Sequence, residues 1–98
     1  MKLIFDLNHE KNAALKKRHG IGFEDVVVAF LERRLLSDIK HPNQDRYPNE
    51  RIAVVAINEY IYAVPYILDG ETRFLKTLYP SRKLQKQFFD ESKNNENQ

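Results

Sequence analysis

The chain has no cysteine, three glycines and four prolines among 98 residues. Without cysteine there is no disulfide, no thiol nucleophile and no zinc-thiolate site, and the composition is compatible with a reducing cytoplasm. The glycines are too few and too scattered for a phosphate-cradling loop. No apolar run approaches the length of a membrane span, and Met1 to Asp6 lacks the apolar stretch of a signal peptide. The expectation is a soluble cytoplasmic protein with no membrane partner. An excess of charge of one sign is missing too. Sixteen Lys and Arg stand against 14 Asp and Glu, a net charge of +2. Any affinity for nucleic acid must therefore come from local clustering. The histidines, His9, His19 and His41, are far apart and have no metal-ligand spacing, so neither a metal nor a cofactor is expected.

What is present suffices for one domain, expected over residues 1–90, with a polar, disordered tail over 91–98. Residues 2–6 read as an opening strand leading to a helix cap at Asp6 or Asn8. A helix over 7–18 follows, closed by Gly20 in a left-handed conformation, with Lys17, Arg18 and His19 suiting the negative end of its dipole. The strongest periodicity is Phe23, Val26, Val27, Phe30, Leu31 and Leu35, a helical apolar face with Glu24 and Asp25 in its first turn. Residues 35–40 read as a strand and 41–50 as a Pro/Asn-rich loop, either a binding segment or a connector. Three consecutive antiparallel strands follow over 51–58, 60–68 and 71–79, with tight turns at Asn58-Glu59 and Asp69-Gly70. Pro65 predicts an irregularity in the middle strand, or a nitrogen facing an unpaired edge. A short helix over 81–90 closes the chain. The fold class expected is α+β, a small antiparallel sheet with two N-terminal helices packed on it and a short C-terminal helix.

Chemistry concentrates in Glu71 to Lys83, where Pro80 ends a strand and Ser81 caps a new helix. Alternation along that strand puts Phe74, Lys76 and Leu78 on one face and Arg73, Thr77 and Tyr79 on the other. A sheet end bearing Arg73, Lys76, Tyr79, Arg82 and Lys83 suits a phosphodiester, and it also reads as a charged guard on an open strand edge. Metal-independent RNA cleavage needs a group to help the 2′-hydroxyl attack, one to protonate the leaving oxygen, and cations for the phosphate. His19 has the titration range for such work, or simply caps a helix. Glu50-Arg51 either orients the basic sheet end or forms a surface ion pair.

Phe5-Asp6, Lys11-Asn12, the segment Lys17 to Asp25, Phe30, Glu50-Arg51 and Pro80-Ser81-Arg82 together resemble the BrnT family of toxins from bacterial type II toxin–antitoxin systems. The likeness runs from Lys2 to about Phe88 and is most specific around His19-Gly20 and Phe23-Glu24. It implies a RelE-like fold and a growth-arresting endoribonuclease. It also implies a cognate antitoxin of ribbon-helix-helix type, with operator DNA engaged only through the toxin–antitoxin complex. His19, Glu24, Glu50, Arg51 and Arg82 match family positions. Phe5 stands where the family usually has Trp, Gly22 where it has Ser or Thr, and Thr77 where it has Arg. On this resemblance the catalytic candidates are Arg82, Lys76, Arg73, His19, Tyr79 and Glu50. The RNA-binding candidates are Lys17, Arg18, Arg51 and Lys83. Arg82 leads for phosphate contact, and Tyr60, Tyr62, Tyr66 and Ile67 are the expected antitoxin surface, with core packing an equally good account of some of these tyrosines. The competing class is a non-catalytic module that binds an antitoxin or RNA without cleaving, a reading that Thr77 keeps open.

Overall fold

The structure, a computed structural model, describes residues 3–90; the tail expected over 91–98 lies outside them. Its elements are β1 (Ile4–Leu7), α1 (His9–His19), α2 (Phe23–Leu31), β2 (Leu35–Lys40), β3 (Glu50–Ile57), β4 (Tyr60–Asp69), β5 (Thr72–Leu75), β6 (Tyr79–Pro80) and α3 (Arg82–Gln85), the last continuing as a π-helical turn over Lys86–Asp90. The sheet runs β1-β5-β4-β3-β2, with β6 also paired to β4. All its pairs are antiparallel except β1 with β5. The fold is therefore α+β, as the sequence predicts.

Local chemistry explains most boundaries. Asn8 caps α1, its side chain accepting the Lys11 N–H. Gly20 closes the helix at φ 76° with its N–H on the Lys16 carbonyl, the left-handed C′ geometry that glycine adopts without a Cβ clash. α2 stops at Leu31, short of the Leu35 that its periodicity suggested. Arg33 takes φ 57°, and Leu35 instead opens β2, where alternation again turns it towards the helices. Asn58 and Glu59, both at positive φ, make the two-residue turn between β3 and β4.

The core lies between the sheet and the two N-terminal helices. Leu15, Phe23, Val26, Ala29 and Phe30 from the helices meet Ala53, Val55, Tyr62, Val64, Tyr66 and Leu75 from the strands. Phe30 sits at its centre, edge-on to Phe5 at 5.2 Å and to Tyr66 at 5.6 Å. Tyr62 and Tyr66 are thus core residues, which decides between the two readings the sequence left open for them, core packing and an exposed partner surface, in favour of the first.

The strand expected over 71–79 is broken, and Pro65 is the cause. β5 ends at Leu75 opposite Tyr66, and pairing resumes only at Tyr79 opposite Ala63. The Lys76 N–H donates to the Pro65 carbonyl at 3.0 Å. Proline has no N–H to return on that side, so the ladder cannot continue. The break shifts the alternation by one residue. Leu75 and Leu78 are both buried in the core, so Leu78 leaves the face expected of it, whereas Arg73 shares the helix-bearing face with Leu75 and Lys76 takes the opposite one by ordinary alternation.

Candidate active site

Two described residues with polar side chains are buried, Asn12 and Glu50, and their hydrogen bonding separates their roles. Asn12 is fully committed to structure. Its Oδ1 accepts the Phe23 N–H and its Nδ2 donates to Glu24 Oε1, both at 2.8 Å, tying α1 to the start of α2. Lys16 joins at 2.8 Å from Glu24 and, with the backbone and Asn12, holds the Glu24 carboxyl below its usual range. Glu24 is therefore part of a helix–helix junction.

Glu50 is different. It opens β3, and its side chain is 7 % exposed. Oε1 accepts from Lys76 Nζ at 2.6 Å, while Oε2 faces His41 Nε2 at 3.6 Å, beyond direct hydrogen-bonding reach. A buried carboxylate is tolerated when a cation compensates it, and Lys76 supplies that charge. His41 follows β2 directly and is held from both sides. Its backbone N–H donates to the Glu50 carbonyl at 3.0 Å, and its Nδ1 accepts the Asn43 N–H at 3.0 Å. With Nδ1 accepting, the proton of the neutral ring sits on Nε2, aimed at Glu50. Tyr47 packs on the imidazole with ring centroids 4.5 Å apart.

Arg51 points to the other face of the same strand end. Its Nε reaches Asp38 Oδ1 at 3.1 Å and its Nη2 the Asp38 carbonyl at 3.0 Å, and Tyr66 donates its hydroxyl to the same carboxylate. Burial disfavours the Arg51 charge, but Asp38 and Tyr66 outweigh it, so the guanidinium holds its proton more tightly than usual. Burial, and then the Asp38 charge, push the Tyr66 hydroxyl up to about 12. A cleft of about 140 Å³ opens at this end of the sheet, lined by Lys40, Gln44, Asn49, Glu50, Arg51 and Leu68 among others.

Of the candidates read from the sequence, the fold brings Glu50 and Lys76 into contact and sets Arg51 beside them. Arg73 lies on the helix-bearing face, its guanidinium 5.8 Å from the Phe30 ring centroid. Tyr79 is exposed on β6, opposite Ala63. Arg82 and Lys83 are exposed at the start of α3, where the Ser81 N–H binds the Ile61 carbonyl. Glu50 pairs with Ile67, six residues further along β4, or about 20 Å at 3.3 Å per residue. Arg82 and the Glu50–Lys76 pair thus belong to opposite ends of the sheet. Lys17 and Arg18 are exposed on the last turn of α1, and His19 is half-buried beside Gly20; none of the three enters the bonds around Glu50.

His41, Lys40, Asp38 and Tyr66 were not among the candidates. The missing signal was the pairing of β2 with β3. Lys40 lies opposite Arg51, so the 41–49 loop begins and ends at the same place, and His41 necessarily meets Glu50. No protein-family profile matches the chain, and no curated protein or solved structure does so either.

Proposed function

We propose that this protein is the ribonuclease toxin of a type II toxin–antitoxin pair, cleaving RNA by proton transfer without a metal ion and neutralised by a cognate antitoxin. The observation that carries the reading is Glu50, a buried carboxylate with one oxygen bound by Lys76 and the other left open toward His41. The likeness of the Lys17 to Asp25 and Glu50-Arg51 segments to the BrnT toxins supports the choice of RNA.

On this reading Glu50 Oε2 takes the proton of a 2′-hydroxyl, and the freed oxygen attacks the adjacent phosphorus. The bond from phosphorus to the 5′-oxygen breaks, and Lys76 gives that oxygen a proton. The products are a 2′,3′-cyclic phosphate and a 5′-hydroxyl. The proton held by Glu50 then returns to Lys76, its direct hydrogen-bond partner. The Nε2–H of His41 is placed to bind a non-bridging oxygen as charge develops there. General acid–base assistance of this kind contributes about 10²–10⁴-fold each.

The test is cleavage of single-stranded RNA by the purified protein in excess chelator. Wild type should cut and leave cyclic phosphate ends, and a 2′-deoxy residue at the cut position should block the reaction. Glu50→Gln keeps the side-chain shape but not the basicity, so it should be slower by about 100-fold or more. If folded wild type binds RNA and leaves it intact, the non-catalytic module is the correct class.

A further inference from the structure

We infer that the RNA backbone on either side of the scissile phosphate is held on the helix-bearing face of the sheet end, along a row formed by Lys40, Arg51 and Arg73. The inference rests on RNA being the ligand, as proposed above, but not on its being cut.

Register places the three side chains together. Lys40 pairs with Arg51 and Arg51 with Tyr66, a core residue under the helices. Arg73 pairs with Leu68, two residues beyond Tyr66 on β4. All three therefore share one face. From β2 to β5 the row crosses three strand spacings, about 14 Å. Leu68, Gln44 and Asn49 line the cleft together with Lys40 and Arg51.

The charges along the row are unequal in a way that favours an anion. Asp38 neutralises Arg51 and fixes its direction, while Lys76 neutralises Glu50. Lys40 and Arg73 belong to no ion pair among the described residues. Their charges are uncompensated, Lys40 in the wall of the cleft and Arg73 on the strand beside Leu68, which also lines it. Arg73 supplies a second, independent sign. Its Nε is a buried donor with no acceptor among the described residues, so no partner there anchors the guanidinium, and its outer nitrogens are the donors a ligand would meet. A phosphate oxygen is an acceptor of the right charge, and a guanidinium is the side chain best shaped to meet it. Glu50, first residue of β3, stands where the two faces meet. A strand whose scissile phosphate lies at Glu50 can thus pass its neighbouring phosphates over the sheet end to this row.

The experiment measures binding of an uncleavable 2′-O-methyl RNA strand between about 50 and 200 mM salt. Each phosphate contact on a single strand contributes about −0.7 to the slope of log affinity against log salt. Lys40→Gln and Arg73→Gln should each make the slope shallower by about 0.7, and the double variant by about 1.4. With cleavable RNA, Lys40→Gln should raise KM and leave kcat near wild type. Lys40 is exposed, so its variant should fold normally, and thermal unfolding checks this for Arg73→Gln. Unchanged slopes in both variants, with wild type cleaving normally, overturn this inference alone. Binding with altered slopes but no cleavage by wild type overturns the catalytic reading and leaves this one standing. Absence of binding by wild type overturns both.

Discussion

Asp38 shows how one side chain can organise a site without taking part in it. It accepts from Arg51 and from the Tyr66 hydroxyl, so the guanidinium is aimed and the phenol stays protonated. Removing that hydroxyl in Tyr66→Phe should cost about 1.5–3 kcal/mol, as for hydrogen bonds to charged groups. A melting-temperature comparison near neutral pH measures it. The pH dependence has a definite sign. The folded-state value near 12 lies above the unfolded value near 10, so the contribution is complete below pH 10 and is lost as pH rises towards 12. The melting-temperature gap between wild type and Tyr66→Phe should therefore narrow across that interval. A gap that stays constant to pH 12 would show that the hydroxyl is not held in its neutral form. Glu50 carries the complementary lesson. Lys76→Met leaves its carboxylate buried without a cation and should destabilise the fold. Adding Glu50→Gln to that variant should recover part of the loss, because the uncompensated charge is then gone; a double-mutant cycle reads the coupling.

Among the elements, the α1–α2 junction depends on Gly22. A Cβ built there would meet Asn12 Oδ1 at 2.6 Å, Glu24 Oε2 at 2.7 Å and Lys16 Cε at 2.8 Å. The backbone is extended at φ −138°, so the constraint is space and not a left-handed conformation. Glycine stands where the resemblance implies Ser or Thr because Asn12, bound to the Phe23 N–H, together with Glu24 and Lys16 fills the space a side chain would need. Gly22→Ala should push Asn12 off this donor and cost about 1–3 kcal/mol, seen as a lower urea midpoint at unchanged slope. The reading is wrong if the alanine variant unfolds at the wild-type midpoint. The β5–β6 break is the other decisive element. Pro65 forces it, and the one-residue shift it introduces buries Leu78 on the same face as Leu75, while Lys76, just before the shift, keeps the face opposite Arg73 and reaches Glu50.

Across the whole molecule, the cations near the end of the chain divide between two regions. The sequence favoured Arg82 as the main phosphate contact, yet Arg82 begins α3 at the far end of β4 from Glu50. Arg82→Ala should therefore retain most of the cleavage activity, whereas Glu50→Gln should lose about 100-fold. Side-by-side single-turnover rates decide between them. Equal losses would mean that RNA reaches both ends of the sheet. With a net charge of only +2, the molecule has little long-range field for RNA, so affinity should rest on the local row at the Glu50 end and fall steeply with salt.

Much of this was determined by sequence alone because its causes are local. A cap at Asp6 or Asn8, the left-handed Gly20, the turn at Asn58-Glu59, the periodic face of α2 and the α+β class follow from residues close together in the chain, and the structure settles the cap on Asn8. A disturbance at Pro65 was legible too, since a missing N–H is a property of one residue, although the strand carrying the proline runs unbroken and its neighbour is the one interrupted. What the disturbance does was not. The contact of Lys76 with Glu50 depends on β5 lying beside β4 and β4 beside β3, and the meeting of His41 with Glu50 depends on β2 pairing with β3 across nine intervening loop and turn residues, 41–49. The distance of Arg82 from Glu50 depends on where α3 docks along β4. Strand pairing joins residues remote in sequence, and its register is set by the packing of a whole face, so only the tertiary structure decided which charged groups share a site.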